Sequence, residues 1–228
     1  MILPVLLALA PVLAPQPSAP SQTHNMTEGA HRMELMLERL EGGNWHAIDP
    51  ALVLAQGDRV RFRFRTNFDG YLYVMNHSTS GTYEQLFPRE ETGQDNHIVA
   101  SRDYQVPATA VAFRIAGPPG HEVVYWLVSP ARITGAPPRP ELPPARKTTP
   151  LTLMPRCDDA ILRARGDCID SSAGPKLVPR GADLPMDFSA ANAASRDLVF
   201  MRQKDTAVIS SPEPLAGPVI YEFHLAHR

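Results

Sequence analysis

The chain has 228 residues, 43% of them apolar and 20% charged, an ordinary composition for a soluble folded protein with one sizeable core or two small ones. Lys and Arg number 22 against 24 Asp and Glu, a formal charge of −2. That balance excludes a global field drawing the protein to nucleic acid or to an anionic membrane, so any anion site must be local. Proline, at 24 residues, is about double its usual share of roughly 5% and excludes an architecture of long helices.

The first residues, MILPVLLALAPVLAPQPSAPSQ, hold an apolar run from Ile2 to Ala14. It is too short to span a bilayer and has the length of a signal-peptide core. The run predicts an export signal over residues 1–21, with the small-residue cut at Ala19-Pro20-Ser21 before Gln22, and a mature protein that is periplasmic or secreted. Against this, no Lys or Arg precedes the run, and Pro4 and Pro11 interrupt it. The same prolines count against the alternative of a buried N-terminal helix. No cysteine follows the run to carry a lipid, and no later stretch is apolar for the length a membrane span needs.

Residues 26–134 read as an all-β domain, because short runs are punctuated by Gly, Pro, Asn and Asp clusters. RMELMLERL alternates Met33, Leu35 and Leu37 against Glu34 and Glu38, and the break EGGN before Trp45 favours a strand and hairpin, with a helix as the alternative. DRVRFRFRT, YLYVMN, TYEQLF, HIVA, RDYQV, VAFRI and EVVYWLV follow as strands. Asp69-Gly70 is expected to supply the positive φ of a hairpin between the first and second of these runs, and GPPG from Gly117 to Gly120 a tight turn between the last two. Seven or eight such segments predict an antiparallel β-sandwich, immunoglobulin-like or of a similar Greek-key kind.

The stretch Arg59-Val60-Arg61-Phe62-Arg63-Phe64-Arg65 places an arginine at every second position. A strand alternates faces and rises about 3.3 Å per residue, so the four guanidiniums project from one side at intervals of about 6.6 Å. One reading is a strip for an anionic ligand, helped by Tyr71 and Tyr73 on the next strand, whose rings can stack with guanidinium groups. The other, which the negative overall charge favours, is a solvated face whose arginines pair with acids across the ladder and discourage edge-to-edge association.

GAPPRPELPPARKTTP, residues 135–150, has six prolines and no apolar periodicity, which makes it a stiff solvated linker. Residues 151–228 form an extension in which Cys157 and Cys168, the only cysteines, are an even pair that reads as a disulfide in an exported chain. Two free thiols in a cytosolic protein are the alternative. Between them Asp158, Asp159, AILRAR and Gly166 have the acid-first, glycine-last order of one short helix. DLVFM, TAVIS and PVIYEFHLAH are strand candidates that either form a small module of their own or extend the sandwich.

Chemistry-bearing signatures are incomplete. HEVVY at His121 begins like a zinc HExxH motif, but Tyr125 stands where the second histidine is needed and the segment reads as a strand. His224 and His227 fall on opposite faces of a strand, so no metal or other cofactor is expected. Ser78 and Ser80 lie near His77 without a nucleophile elbow, and the stretch describes a loop as well as a site.

The segments GDRVRFRFRTNFDGYLYVMN, LFP at Leu86 to Pro88, DNHIVASRDYQVP at Asp95 to Pro107, and GPPGHEVVYWLVSP at Gly117 to Pro130 resemble, in this order, the bacterial domain of unknown function 4384 family. The resemblance covers about residues 33–130. It implies a β-sandwich of exported or multidomain bacterial proteins, used for sensing or interaction. It carries no catalytic residue onto this chain.

The sequence thus predicts a non-catalytic, exported binding module of the bacterial envelope. Arg59, Arg61, Arg63, Arg65, Tyr71 and Tyr73 are the expected contacts, and the partner is a protein or an anionic surface ligand. One alternative is a hydrolase assembled from distant residues, such as His77 with a serine and a carboxylate. The other is a carbohydrate-binding module stacking sugars on Tyr71, Tyr73, Trp45 or Trp126.

Overall fold

Alternation of side chains builds the structure, a computed structural model that describes residues 31–133, 154–157, 160, 167–182, 184, 188, 191–192 and 195–228. The expected export signal and proline linker lie outside the described residues, as does the expected helix between the cysteines apart from Ala160. The strands are β1 (Arg32–Glu41), β2 (Asn44–Ile48), β3 (Arg59–Thr66), β4 (Gly70–His77), β5 (Tyr83–Phe87), β6 (His97–Ile98) and β7 (Asp103–Val106). They continue as β8 (Phe113–Arg114), β9 (Gly120–Ser129), β10 (Gly174–Lys176), β11 (Val199–Gln203), β12 (Thr206–Ser210) and β13 (Val219–His227).

These strands form two antiparallel sheets. The first runs β11-β12-β1-β3-β7, with β2 also on β1 and β8 also on β3; the second runs β10-β13-β9-β4-β5, with β6 on β4. In β1 and β3 the residues Leu35, Leu37, Val60, Phe62 and Phe64 turn inward. They meet Leu72, Val74, Val124, Trp126, Tyr221, Phe223 and Leu225 of the second sheet in one shared core. Phe62 lies edge to face on Trp126 and on Phe223, with ring centroids 5.2 Å apart in both pairs, one of the arrangements that aromatic quadrupoles prefer. The fold is therefore all-β and sandwich-like, with a strand and not a helix at Arg32–Glu41.

The C-terminal strands do not stand apart. β12 pairs with β1 through Arg32↔Ser210 to Met36↔Thr206, and β13 pairs with β9 along its whole length. The expected extension thus places β11 and β12 in the first sheet and β13 in the interior of the second. The Cys157–Cys168 disulfide is formed. Its segment is stitched to the 51–54 stretch by Val53 N–H to Cys168 O at 2.7 Å and Asp170 N–H to Ala51 O at 2.9 Å. Residues Val178 and Ala191 cover the outer face of the second sheet, packing on Met75, Tyr125, Leu127 and Ile220. Ser195, fully buried, receives the Ile220 N–H at 2.7 Å and donates to Ala191 O at 2.6 Å.

Two connections differ from expectation. β3 and β4 lie in different sheets, so Asp69-Gly70 is a crossing between layers and not a hairpin turn. Gly70 needs no left-handed backbone; a Cβ there would stand 2.7 Å from Ser129 O, so close strand approach is what excludes a side chain. GPPG likewise leads from β8 of the first sheet into β9 of the second.

Candidate functional site

The arginine row lies on the outer face of the first sheet, because Val60, Phe62 and Phe64 take the inner one. Register sets Arg61 opposite Glu38 and Arg65 opposite Glu34. Glu38 is almost fully buried beneath the guanidiniums, with Arg61 Nε 2.5 Å from Oε2 and Arg63 Nη1 3.4 Å from Oε1. Arg61 also lies over the Trp45 ring, 4.3 Å from its centroid. Arg61 and Arg63 are thereby committed within the sheet, whereas Arg59 and Arg65 are exposed at its two ends.

Tyr71 and Tyr73 do not join this row. Leu72 and Val74 of β4 point into the core, so the tyrosines project from the outer face of the second sheet, on the opposite side of the molecule. There Tyr71 meets Arg132 at 5.6 Å, and the Tyr73 hydroxyl accepts the Ile133 N–H at 3.1 Å. Of the two tryptophans, Trp126 is fully buried and Trp45 is capped by Arg61.

A second set of polar groups lies on that same outer face. His121 Nε2 is 3.1 Å from Asp170 Oδ2 and 3.3 Å from Ser172 Oγ, and Ser172 Oγ donates to Asp170 Oδ1 at 2.6 Å. Both partners meet the same ring nitrogen, whereas a relay from serine through histidine to carboxylate needs one on each. Burial pushes the Asp170 carboxyl up, but bonds from Ser172 and the Arg156 N–H together with nearby His121 outweigh it and hold it low. His77 stacks on Tyr83 with centroids 4.1 Å apart, and burial lowers its pKa against the pull of Glu122 and Glu222. Ser78 and Ser80 bond one another at 2.7 Å in the neighbouring loop. Among the described residues no three His, Cys, Asp or Glu side chains converge to hold a metal, and no helix is long and apolar enough to cross a membrane.

A concavity lies between the sheets, at the open edge where β8 faces β5. It has a volume of about 470 Å³, within the range of roughly 300–1,000 Å³ of small-molecule sites. Val60, Phe62, Phe113, Val124 and Leu225 give it apolar walls from both layers. Ser78, Ser80, Thr82, Arg89 and Arg114 stand at its rim, where Arg89 is taken up by ion pairs with Glu84 and Glu91. The inner end is acidic: Glu122 shares strand parity with Val124 and Trp126, so it points between the sheets.

Four groups surround that carboxylate. Asn76 Nδ2 donates to Oε2 at 2.7 Å, and Thr79 donates to Oε1 from its N–H at 3.2 Å and its hydroxyl at 3.1 Å. Fully buried His227 places Nε2 3.5 Å from Oε1, at the outer limit of hydrogen-bonding distance, and neither of its ring nitrogens makes a hydrogen bond. Burial raises the affinity of Glu122 for a proton, but these neighbours outweigh it and hold the carboxyl below its ordinary value. A charged carboxylate thus sits at the foot of an apolar cavity.

The sequence reading missed this group. The signal was present in HEVVYWLV, where parity puts Glu122 on the same face as the core tryptophan. Asn76, Thr79 and His227 are brought to it from β4, the following loop and the chain's end, which no local spacing reveals.

No curated protein and no solved structure matches the chain. Residues 53–132 in the middle of the chain, spanning β3 to β9 and most of the cavity lining, match the model of a family described as a domain of unknown function (DUF4384).

Proposed function

We propose that this protein is a non-catalytic binding module that works outside the cytoplasm, in the bacterial envelope, and that its ligand seat is the cavity between the sheets. The single observation that carries the reading is the combination of apolar walls from both layers with one buried carboxylate at the inner end. The repeated crossing of the chain between layers supports a Greek-key or immunoglobulin-like form of sandwich. The apolar run at Ile2 to Ala14 and the disulfide support export. The arginine row is the weaker partner surface, since Glu38 occupies its two central members.

Two measurements test the reading. Fractionation of cells producing the tagged full chain places it in the periplasm or medium; retention in the cytoplasm with reduced cysteines removes the export part. Ligand-observed NMR of the full chain against a fragment library gives hits that are lost in Ala112→Phe, which narrows the cavity at a lining position. Hits indifferent to that substitution remove the cavity from the account.

A hydrolytic reading has one observation in its favour, the meeting of Ser172, His121 and Asp170. Covalent labelling of Ser172 by a fluorophosphonate, abolished in His121→Ala, is the result that would establish it over the binding reading.

A further inference from the structure

We propose that the cavity takes a small organic cation, a primary amine carried on an apolar body, with its ammonium group seated on Glu122. The inference rests on reading the cavity as the ligand seat and adds the class of ligand.

Three observations point to a cation. First, the deepest charge in the cavity is negative and nearly enclosed, its side chain 10% exposed. An opposite charge brought to it interacts at far lower effective dielectric than one at the surface. Second, acceptor capacity is left over. Glu122 Oε2 receives one bond, from Asn76 Nδ2, although a carboxylate oxygen has two lone pairs, and Asn76 Oδ1 is buried with no hydrogen-bond partner. Glu122 Oε2 and Asn76 Oδ1 are both acceptors, and an ammonium brings three donors. Third, no lysine or arginine side chain is paired with Glu122 among the described residues. Only His227 stands against it, and a histidine is charged only when protonated.

Competing charge lies at the rim. Arg89 is neutralised by Glu84 and Glu91. Arg114 is exposed and makes no ion pair among the described residues, so it offers an anion a solvated contact only. The apolar walls set the rest of the ligand: Phe62, Phe113, Val124 and Leu225 suit a short alkyl or aryl group.

The test uses three probes of one length, n-hexylammonium, n-hexanol and n-hexanoate, titrated by NMR into the full oxidised chain at pH 7.5 (an assay condition). The expected order is the amine tighter than the alcohol by about tenfold or more, the margin of a hydrogen bond to a charged group, with the carboxylate weakest. Glu122→Gln should erase the preference of amine over alcohol while leaving the alcohol bound. Ala112→Phe leaves Glu122 intact and should weaken all three probes, so the inference remains testable even if Glu122→Gln fails to fold.

Equal binding of amine and alcohol, or tightest binding of hexanoate, overturns the cationic assignment while the cavity reading survives. Binding of none of the three, or binding unaffected by Ala112→Phe, overturns the cavity reading and the assignment with it.

Discussion

Arg61 closes over Glu38 across the β1–β3 ladder, with Nε 2.5 Å from Oε2, so that an acid on the solvent side of the first sheet is almost fully buried. Arg63 lies 3.4 Å from the same carboxylate, and the Trp45 ring packs on the Arg61 guanidinium. Replacing Glu38 by Ala leaves two guanidiniums without their partner and should cost about 1–2 kcal/mol, between the worth of an exposed ion pair and that of a charged hydrogen bond. Arg63→Ser, at a more exposed position, should cost under about 1 kcal/mol. Urea unfolding of both variants measures the difference. Equal losses would show that Glu38 is no better held than an ordinary surface acid.

Gly70 is fixed by the approach of a neighbouring strand. A methyl group there would stand 2.7 Å from Ser129 O, which belongs to the backbone and cannot swing aside. Gly70→Ala should lower stability by about 1–3 kcal/mol through displacement of β4 from β9. Gly42, in the open β1–β2 turn, has nothing near its missing Cβ but a φ of +56°. Ala in its place is therefore strained in backbone without any clash. A thermal melt in which Gly70→Ala matches wild type would remove the close-approach explanation.

Acid should unfold the protein partly through Glu122 and Asp170. Both carboxyls titrate below their ordinary values, of 4.5 and 3.8, in the folded state. Their contribution is fully present above those values and is lost as pH falls through the lower folded ones. His77, whose pKa burial lowers beneath 6.5, adds a loss in the same direction that begins as pH drops below that value. Stability measured by urea across pH 3 to 7 (an assay range) should therefore fall on acidification, and Glu122→Gln should flatten the most acidic part of the curve. An unchanged slope in that variant contradicts the assignment.

Reduction should loosen the segment around Cys168. The bridge closes a loop with a sequence separation of 11, worth about 2.5–3 kcal/mol in the chain-entropy account. Cys168 itself packs on Val53 and Ala226. The Cys157→Ser, Cys168→Ser double variant should melt lower than wild type, and reductant should lower the wild type to match. Hydrogen exchange should locate the change at the Val53 and Asp170 amides, which bond to Cys168 O and Ala51 O.

Much of the architecture was legible because period-2 alternation is local. RMELMLERL, RFRFRT and EVVYWLV state in their own order which face is wet, and each became a strand. Sheet membership was not legible. Asp69-Gly70 looks the same whether it turns a chain back beside itself or carries it to the facing layer, and the structure takes the second course. That is why Tyr71 and Tyr73, two residues apart on the run after the arginines, end on the far side of the molecule. The C-terminal runs were recognisable as strands, but their partners, β1 and β9, lie more than 90 residues earlier. Register over such separations is decided by the shared core around Trp126 and Tyr221, which no window of sequence contains.

The position of β13 has a consequence for how the molecule comes into being. This strand, sandwiched between β9 and β10, is synthesised long after its partner β9. Until it emerges, one long edge of β9 has no partner and the aromatic centre lacks Tyr221 and Phe223. Over that interval a nascent chain leaves apolar surface open to premature association. Closure of the second sheet thereby waits on a strand of nine residues.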